Sequence, residues 1–182
     1  MAAASSKSQL PEVSSSTSRC SYHVFLSFRG KDTRKNFTDH LYTALVQAGF
    51  HTFRDDNEIR RGENIDFEIQ KSIHESKISI VVFSKDYASS RWCLDELLMI
   101  MKRREICGLI VLPVFYHVDP SKLSEHEAFD CLEEEKDGKV EAWRAALREV
   151  ANLGGMVLQD GYTTFCFPLC ILSFNHTISN WV

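Results

Sequence analysis

Two hydrophobic rhythms alternate along the chain: short continuous apolar runs, and longer stretches in which apolar residues recur every three or four positions. The first suits buried strands and the second amphipathic helices. Tyr22-His-Val-Phe-Leu-Ser-Phe28 reads as a buried strand. Phe37, Leu41, Ala44, Leu45 and Ala48 then mark a helix that breaks at Gly49. A short strand, His51-Thr-Phe53, leads into a polar loop from Asp55 to Gly62, and Ile65, Ile69 and Ile73 share one face of the next helix. Ile78-Ser-Ile-Val-Val-Phe83 is rich in β-branched residues, as a strand covered on both faces should be. Ser89 or Ser90 caps a helix whose core stripe is Leu94, Leu97, Leu98 and Met101. In the fourth strand, Leu109 to Tyr116, the internal Pro113 points to an edge or a bulge. A last helix from about Val140 to Leu153 turns Trp143, Ala146, Leu147 and Val150 inward and stops at Gly154. Strands alternating with helices of this length predict an α/β fold with an open, doubly wound parallel sheet.

A length of 182 residues fits one domain. Residues 1–20 contain seven serines, three alanines and Glu12 as the single acid, a mixture that predicts a disordered arm. The same arm has a faint likeness to an organelle transit peptide, with only Lys7 and Arg19 as positive charges. No secretory leader is legible, so the expected compartment is the cytoplasm, with the nucleus as a second possibility. The six cysteines, Cys20, Cys93, Cys107, Cys131, Cys166 and Cys170, are then expected as reduced thiols. They form no C-x-x-C pair, and no metal site is expected. The sequons at Asn36 and Asn175 are read as chance matches. A net charge of −4 gives no general reason to bind nucleic acid.

In sheets of this kind a ligand sits outside the carboxyl ends of the strands. The loops there are polar: Arg29-Gly-Lys-Asp-Thr-Arg34, Asp55 to Gly62, Ser84 to Trp92, and His117-Val-Asp-Pro120. Converging arginines, carboxylates and a tryptophan suit a phosphate-bearing ligand with an aromatic ring. Trp92 and Glu96 lie four apart on one helix face. Glu96 is offset from the leucine stripe, which places it beside the core rather than in it. Periodicity alone makes it a solvated flank residue, Trp92 an anchor, and Arg29 and Arg34 surface partners of Asp32 or Asp55. No G-x-G-x-x-G, Walker loop or G-x-S-x-G elbow is present.

Taken in series, these segments resemble one family. Tyr22 to Arg34, Phe53-Arg-Asp-Asp56, Ile80-Val-Val-Phe-Ser84, Ser90-Arg-Trp-Cys-Leu-Asp-Glu-Leu97 and Val114-Phe-Tyr-His-Val-Asp-Pro-Ser121 are similar to plant TIR (Toll/interleukin receptor) domains of intracellular immune receptors. The likeness covers about residues 21–160. It implies a flavodoxin-like sheet of about five strands with helices on both faces, and NAD glycohydrolase activity that arises on self-association. NAD would be substrate, with no cofactor, and the product ADP-ribose or its cyclic form. Glu96 falls on the family's catalytic glutamate, Arg29 and Arg34 on first-loop arginines, and Trp92 on an aromatic wall of the pocket. Asp55 and Arg60, or its neighbour Arg61, fall in a second loop bordering that pocket. Asp39-His40 falls on a first-helix surface through which TIR domains associate.

Two departures qualify the resemblance. The stretch Lys122 to Ala128 is shorter than in relatives, and residues 161–182 contain no Asp, Glu, Lys or Arg, with Pro168 in their apolar run. That tail is too short for a membrane span and is expected to come from truncation or alternative splicing. The alternative to an NAD-cleaving signalling enzyme is a non-catalytic adaptor or decoy that pairs with full-length TIR receptors.

Overall fold

The structure is a computed structural model that describes residues 21–54, 65–123 and 139–159, together with His176. Five strands, β1 (Tyr22–Phe28), β2 (Thr52–Phe53), β3 (Ser76–Phe83), β4 (Ile110–Tyr116) and β5 (Met156–Leu158), form one sheet. All pairings are parallel and the order is β2-β1-β3-β4-β5. The described helices are α1 (Gly30–Thr33), α2 (Phe37–Gln47), α3 (Ile65–His74), α4 (Arg91–Cys107) and α5 (Lys139–Ala151), with 3₁₀ turns at Tyr87–Ser89 and Pro120–Lys122. This is the expected flavodoxin-like architecture.

The period-2 geometry of the strands divides the core in two. Val24, Leu26 and Phe28 of β1 and Ile78, Ile80 and Val82 of β3 meet Phe37, Leu41 and Leu45 of α2 on one face. Phe25, Val81 and Phe83 point the other way, onto Ile69 and Ile73 of α3, Leu94 and Leu97 of α4, and Trp143 and Leu147 of α5. With both faces covered, β3 has no exposed residue, and from Ile78 to Phe83 only Ser79 interrupts its apolar run.

Helix ends follow local chemistry. Ser90 caps α4, its hydroxyl accepting from the Cys93 N–H at 3.4 Å, and Gly108 at φ 70° closes the other end. Gly49, at φ 89°, ends α2 as the sequence predicts. At α5 the prediction is displaced: the helix stops at Ala151, closed by bonds from Asn152 and Leu153 to Glu149 and Val150, and Gly154 is not left-handed.

Two further differences have physical reasons. Ile65 is half-exposed at the start of α3, so only Ile69 and Ile73 of the predicted stripe are buried. Strand β4 is not the sheet edge; Pro113 sits just before Val114, where pairing to β5 begins, and pairs on the β3 side with Val81. Gly155 explains how β5 gets there: a Cβ on it would lie 2.7 Å from Phe115, from the Pro113 ring and from the Pro113 carbonyl. Among the described residues no helix is long and apolar enough to cross a membrane. The predicted arm (1–20), most of the shortened stretch and the uncharged tail lie outside the described residues.

Candidate functional site

The strand order reverses direction between β1 and β3, since the chain runs from β1 outward to β2 and then returns to the far side of β1. At such a switch point the loops leaving two neighbouring strands diverge and open a crevice. Here the loop after β1 begins with Arg29, and the loop after β3 leads through Tyr87–Ser89 into α4. Between them lies an open cleft of about 690 Å³, lined by Phe28, Arg29, Gly30, Lys31, Arg34, Ile65, Ser89, Ser90, Trp92, Cys93 and Glu96. That is the size range of small-molecule sites. A smaller cleft of about 170 Å³ between α3 and α4 shares Trp92 and Glu96 with it.

Asp32 holds the two loops together. One carboxylate oxygen accepts from Arg29 Nη1 at 2.6 Å; the other accepts from the Ser84 hydroxyl and from the Asp86 N–H at 3.3 Å. Arg29 also lies 3.8 Å from the Asp86 carboxylate. Its position is thus fixed by acids from both loops, while part of it still lines the cleft. Arg34 folds back so that its guanidinium stands 5.1 Å from the centre of the Phe28 ring. Gly30 makes room for this, because a Cβ there would approach Arg34 Nη2 to 2.6 Å.

Trp92, 43% exposed on the first turn of α4, stands between the two clefts. One turn on, Glu96 is only 7% exposed. It is therefore a buried carboxylate reaching the cleft and not a solvated flank residue. Charges are buried only with partners, and the Ser27 hydroxyl of β1 donates to Glu96 Oε2 at 2.8 Å. Ser27 Oγ is also 3.1 Å from the Tyr87 hydroxyl, which donates to the Cys93 carbonyl at 3.0 Å. Burial, reinforced by the Glu96 charge, pushes the Cys93 thiol up to about 12. Burial also pushes the Tyr87 phenol well above its ordinary range, with Cys93 and Glu96 adding to it. Neither is a nucleophile near neutral pH, which leaves Glu96 as the carboxyl group in the lining of the larger cleft.

The structure thus brings Arg29, Arg34, Trp92 and Glu96 to one cleft. Asp55 and Arg60 lie outside the described residues. Asp39 and His40 are exposed on α2, away from the cleft lining, and Asp39 accepts from Arg54 Nη1 at 2.8 Å, so its charge is balanced. Sequence reading named Asp32 as a partner of Arg29, as found, but missed Ser27, Tyr87 and the bonds from Ser84 and Asp86 to Asp32. The available signal was Ser27 itself, a hydroxyl in an otherwise apolar strand segment, which needs a partner once buried. Among the described residues no group of His, Cys, Asp and Glu is placed to hold a metal.

Comparison with known proteins agrees with this geometry. The family profile described as "TIR domain" matches residues 21–165. The disease resistance protein RPV1 of Vitis rotundifolia is 52% identical over 162 residues, 86% of this chain and 11% of RPV1. RUN1 of the same species is 55% identical over 149 residues, covering 78% of this chain and 11% of RUN1. TMV resistance protein N of Nicotiana glutinosa is 49% identical over 150 residues, covering 78% of this chain and 13% of that protein. The chain therefore spans only a small part of the length of these relatives. Among solved structures, the TIR domains of the activated Roq1 resistosome superpose with a TM-score of 0.77 at 46% identity, covering 87% of this chain and 99% of the other. The TIR domain of the Toll-related receptor TRR-2 from Hydra magnipapillata, at 16% identity and a TM-score of 0.56, shares the fold. The chain belongs to the TIR domain family.

Proposed function

We propose that this domain cleaves NAD at the bond between nicotinamide and ribose, with Glu96 as the catalytic residue, and that activity rises on self-association. The observation carrying this reading is a buried carboxylate at the floor of a cleft whose rim holds Arg29, Arg34 and Trp92.

Ordinary glycosidases use two carboxyl groups, one to protonate a poor leaving oxygen and one to stabilise the oxocarbenium-like centre. Nicotinamide in NAD is cationic and departs neutral with the bonding electron pair, so no acid is needed. A single carboxylate then suffices, holding the ribose hydroxyls and stabilising the positive charge that develops at the anomeric carbon. Water attacking that carbon and losing a proton gives ADP-ribose; attack by an adenine nitrogen gives a cyclic product. Arg29 and Arg34 neutralise the pyrophosphate, and Trp92 offers a ring face to a planar base. Asp55 and Arg60 are assigned to the border of the same pocket by family likeness. The exposed Asp39-His40 surface of α2, its acid balanced by Arg54, is assigned to association with other TIR domains.

The test is NAD consumption by the concentrated purified protein beside Glu96→Ala, with products separated by chromatography. Turnover that needs Glu96 and rises with protein concentration is expected. A fully active Glu96→Ala protein would sink the assignment. A folded but inactive wild type, in an assay where full-length relatives work, would favour the adaptor reading.

A further inference from the structure

The geometry points to Ser27 as the positioning residue of Glu96: its hydroxyl, donated from a buried strand position, fixes where the Glu96 carboxylate stands and favours its ionised form. Ser27 is fully buried on β1 and faces α4, on the same side of the strand as Phe25. Its backbone is held by pairing with Val81 of β3, two residues beyond the point where β1 is paired with β2 as well. The residues it joins are 69 apart in sequence, so the contact locks α4 onto the sheet at the point where the cleft opens.

The direction of the hydrogen bonds follows from counting protons. The chain of contacts runs Glu96 Oε2, Ser27 Oγ, Tyr87 Oη, Cys93 carbonyl, at 2.8, 3.1 and 3.0 Å. Two hydroxyls supply two protons. A carbonyl and a carboxylate can only accept, so the Tyr87 proton goes to Cys93 and the Ser27 proton to Glu96. With both protons used, the 3.1 Å contact between Ser27 Oγ and Tyr87 Oη carries none, and the Ser27 donor is aimed at the carboxylate. A donor aimed at the charged form holds a carboxyl group down in pKa and keeps the side chain from swinging into solvent.

This role rests on Glu96 being the catalytic carboxylate, and the experiment separates the two claims. Wild type, Ser27→Ala, Ser27→Thr and Tyr87→Phe are compared by NAD turnover against pH and by NMR titration of the ¹³C-labelled Glu96 carboxyl, with thermal melts as a fold control. Among the described residues, the ionisable groups around Glu96 are Tyr87 and Cys93, Asp66 and Asp95 in the lining of the smaller cleft, and Arg29, Lys31 and Arg34 in that of the larger. All are retained in Ser27→Ala, so the difference between the curves isolates the hydroxyl. Expected in Ser27→Ala is a kcat lower by about tenfold to a hundredfold at little-changed KM, from loss of a hydrogen bond to a charged group. The acid limb of the rate profile and the Glu96 titration should both move up by about one pH unit. Ser27→Thr should restore most of this, and Tyr87→Phe, which leaves the Ser27 donor in place, should not move the titration up. An unmoved titration in folded Ser27→Ala overturns the role of Ser27, whatever the activity. If wild type turns over no NAD, the catalytic reading fails, and the carboxyl titration still decides whether Ser27 sets the charge of Glu96.

Discussion

Replacing Asp32 with alanine should loosen the cleft at its root, and the cost can be worked from the contacts it makes. The carboxylate accepts from three donors: Arg29, the Ser84 hydroxyl and the Asp86 N–H. Ser84 is 3% exposed, so stranding its hydroxyl away from solvent costs about 1–3 kcal/mol. Arg29, about a fifth exposed, can turn toward the nearby Asp86 carboxylate and toward water, so its loss is discounted to at most about 1 kcal/mol. The sum is about 1–4 kcal/mol, which for a domain of this size is a fall in Tm of about 2–16 °C. Urea unfolding followed by tryptophan fluorescence, with a double-mutant cycle through Ser84→Ala, measures it. The cycle should return a coupling of about 1 kcal/mol or more between Asp32 and Ser84. An Asp32→Ala protein within about 0.5 kcal/mol of wild type, or strictly additive single changes, would refute the clamp.

Two glycines should respond in opposite ways to the same change. In Gly155→Ala the new methyl meets the Phe115 ring and the Pro113 ring and carbonyl, none of which can easily yield, so a loss of about 1–3 kcal/mol is expected in urea unfolding. In Gly30→Ala the nearest atoms are the far end of Arg34, so stability should hold within about 0.5 kcal/mol while the guanidinium is displaced; the expected readout is a higher KM for NAD with unchanged Tm. His23 should make the fold acid-sensitive. Its ring nitrogen Nδ1 accepts from the His51 N–H at 2.8 Å, and burial, then Lys77, then His51 lower its pKa. A lowered folded value means the contribution is complete above the ordinary histidine pKa of about 6.5. It is lost as pH falls below that, where the unfolded chain takes up a proton that the folded one resists. His23→Gln should flatten the decline in urea midpoint between pH 7.5 and 5.5, and an unchanged slope would exclude His23 as its source.

The parts of the fold legible in the sequence were those specified by local pattern. β1 and β3 announce themselves because both faces are buried, and Gly49 and Ser90 carry their own turn and cap chemistry. β5 is three residues long, too short for any periodicity, and depends on Gly155 passing close over Pro113; only the family likeness implied a fifth strand. Burial of Glu96 was illegible for a different reason. Helical spacing places a residue relative to its own stripe, whereas Glu96 is enclosed by Ser27 and Tyr87 from other elements. Asp32 and Ser84 likewise meet across 52 residues. The rule that ligands sit at the carboxyl ends of the strands brought Arg29, Arg34 and Trp92 to one edge and the family motif singled out Glu96, whereas what supports them came only with the contacts.

The sheet also acts as a partition between two layers that can change independently. Leu41 and Leu45 of α2 belong to one cluster, and Leu94 and Leu97 of α4 to the other, with the strand backbones between them. Substitutions separated in this way, sharing no side-chain neighbour, add their effects with little cross-term. The exposed side of α2 can therefore drift through sequence changes that alter its partners without disturbing the layer that holds Glu96, and the cleft can be retuned without rewriting the α2 surface. A chain built like this has two separately adjustable properties in one small domain.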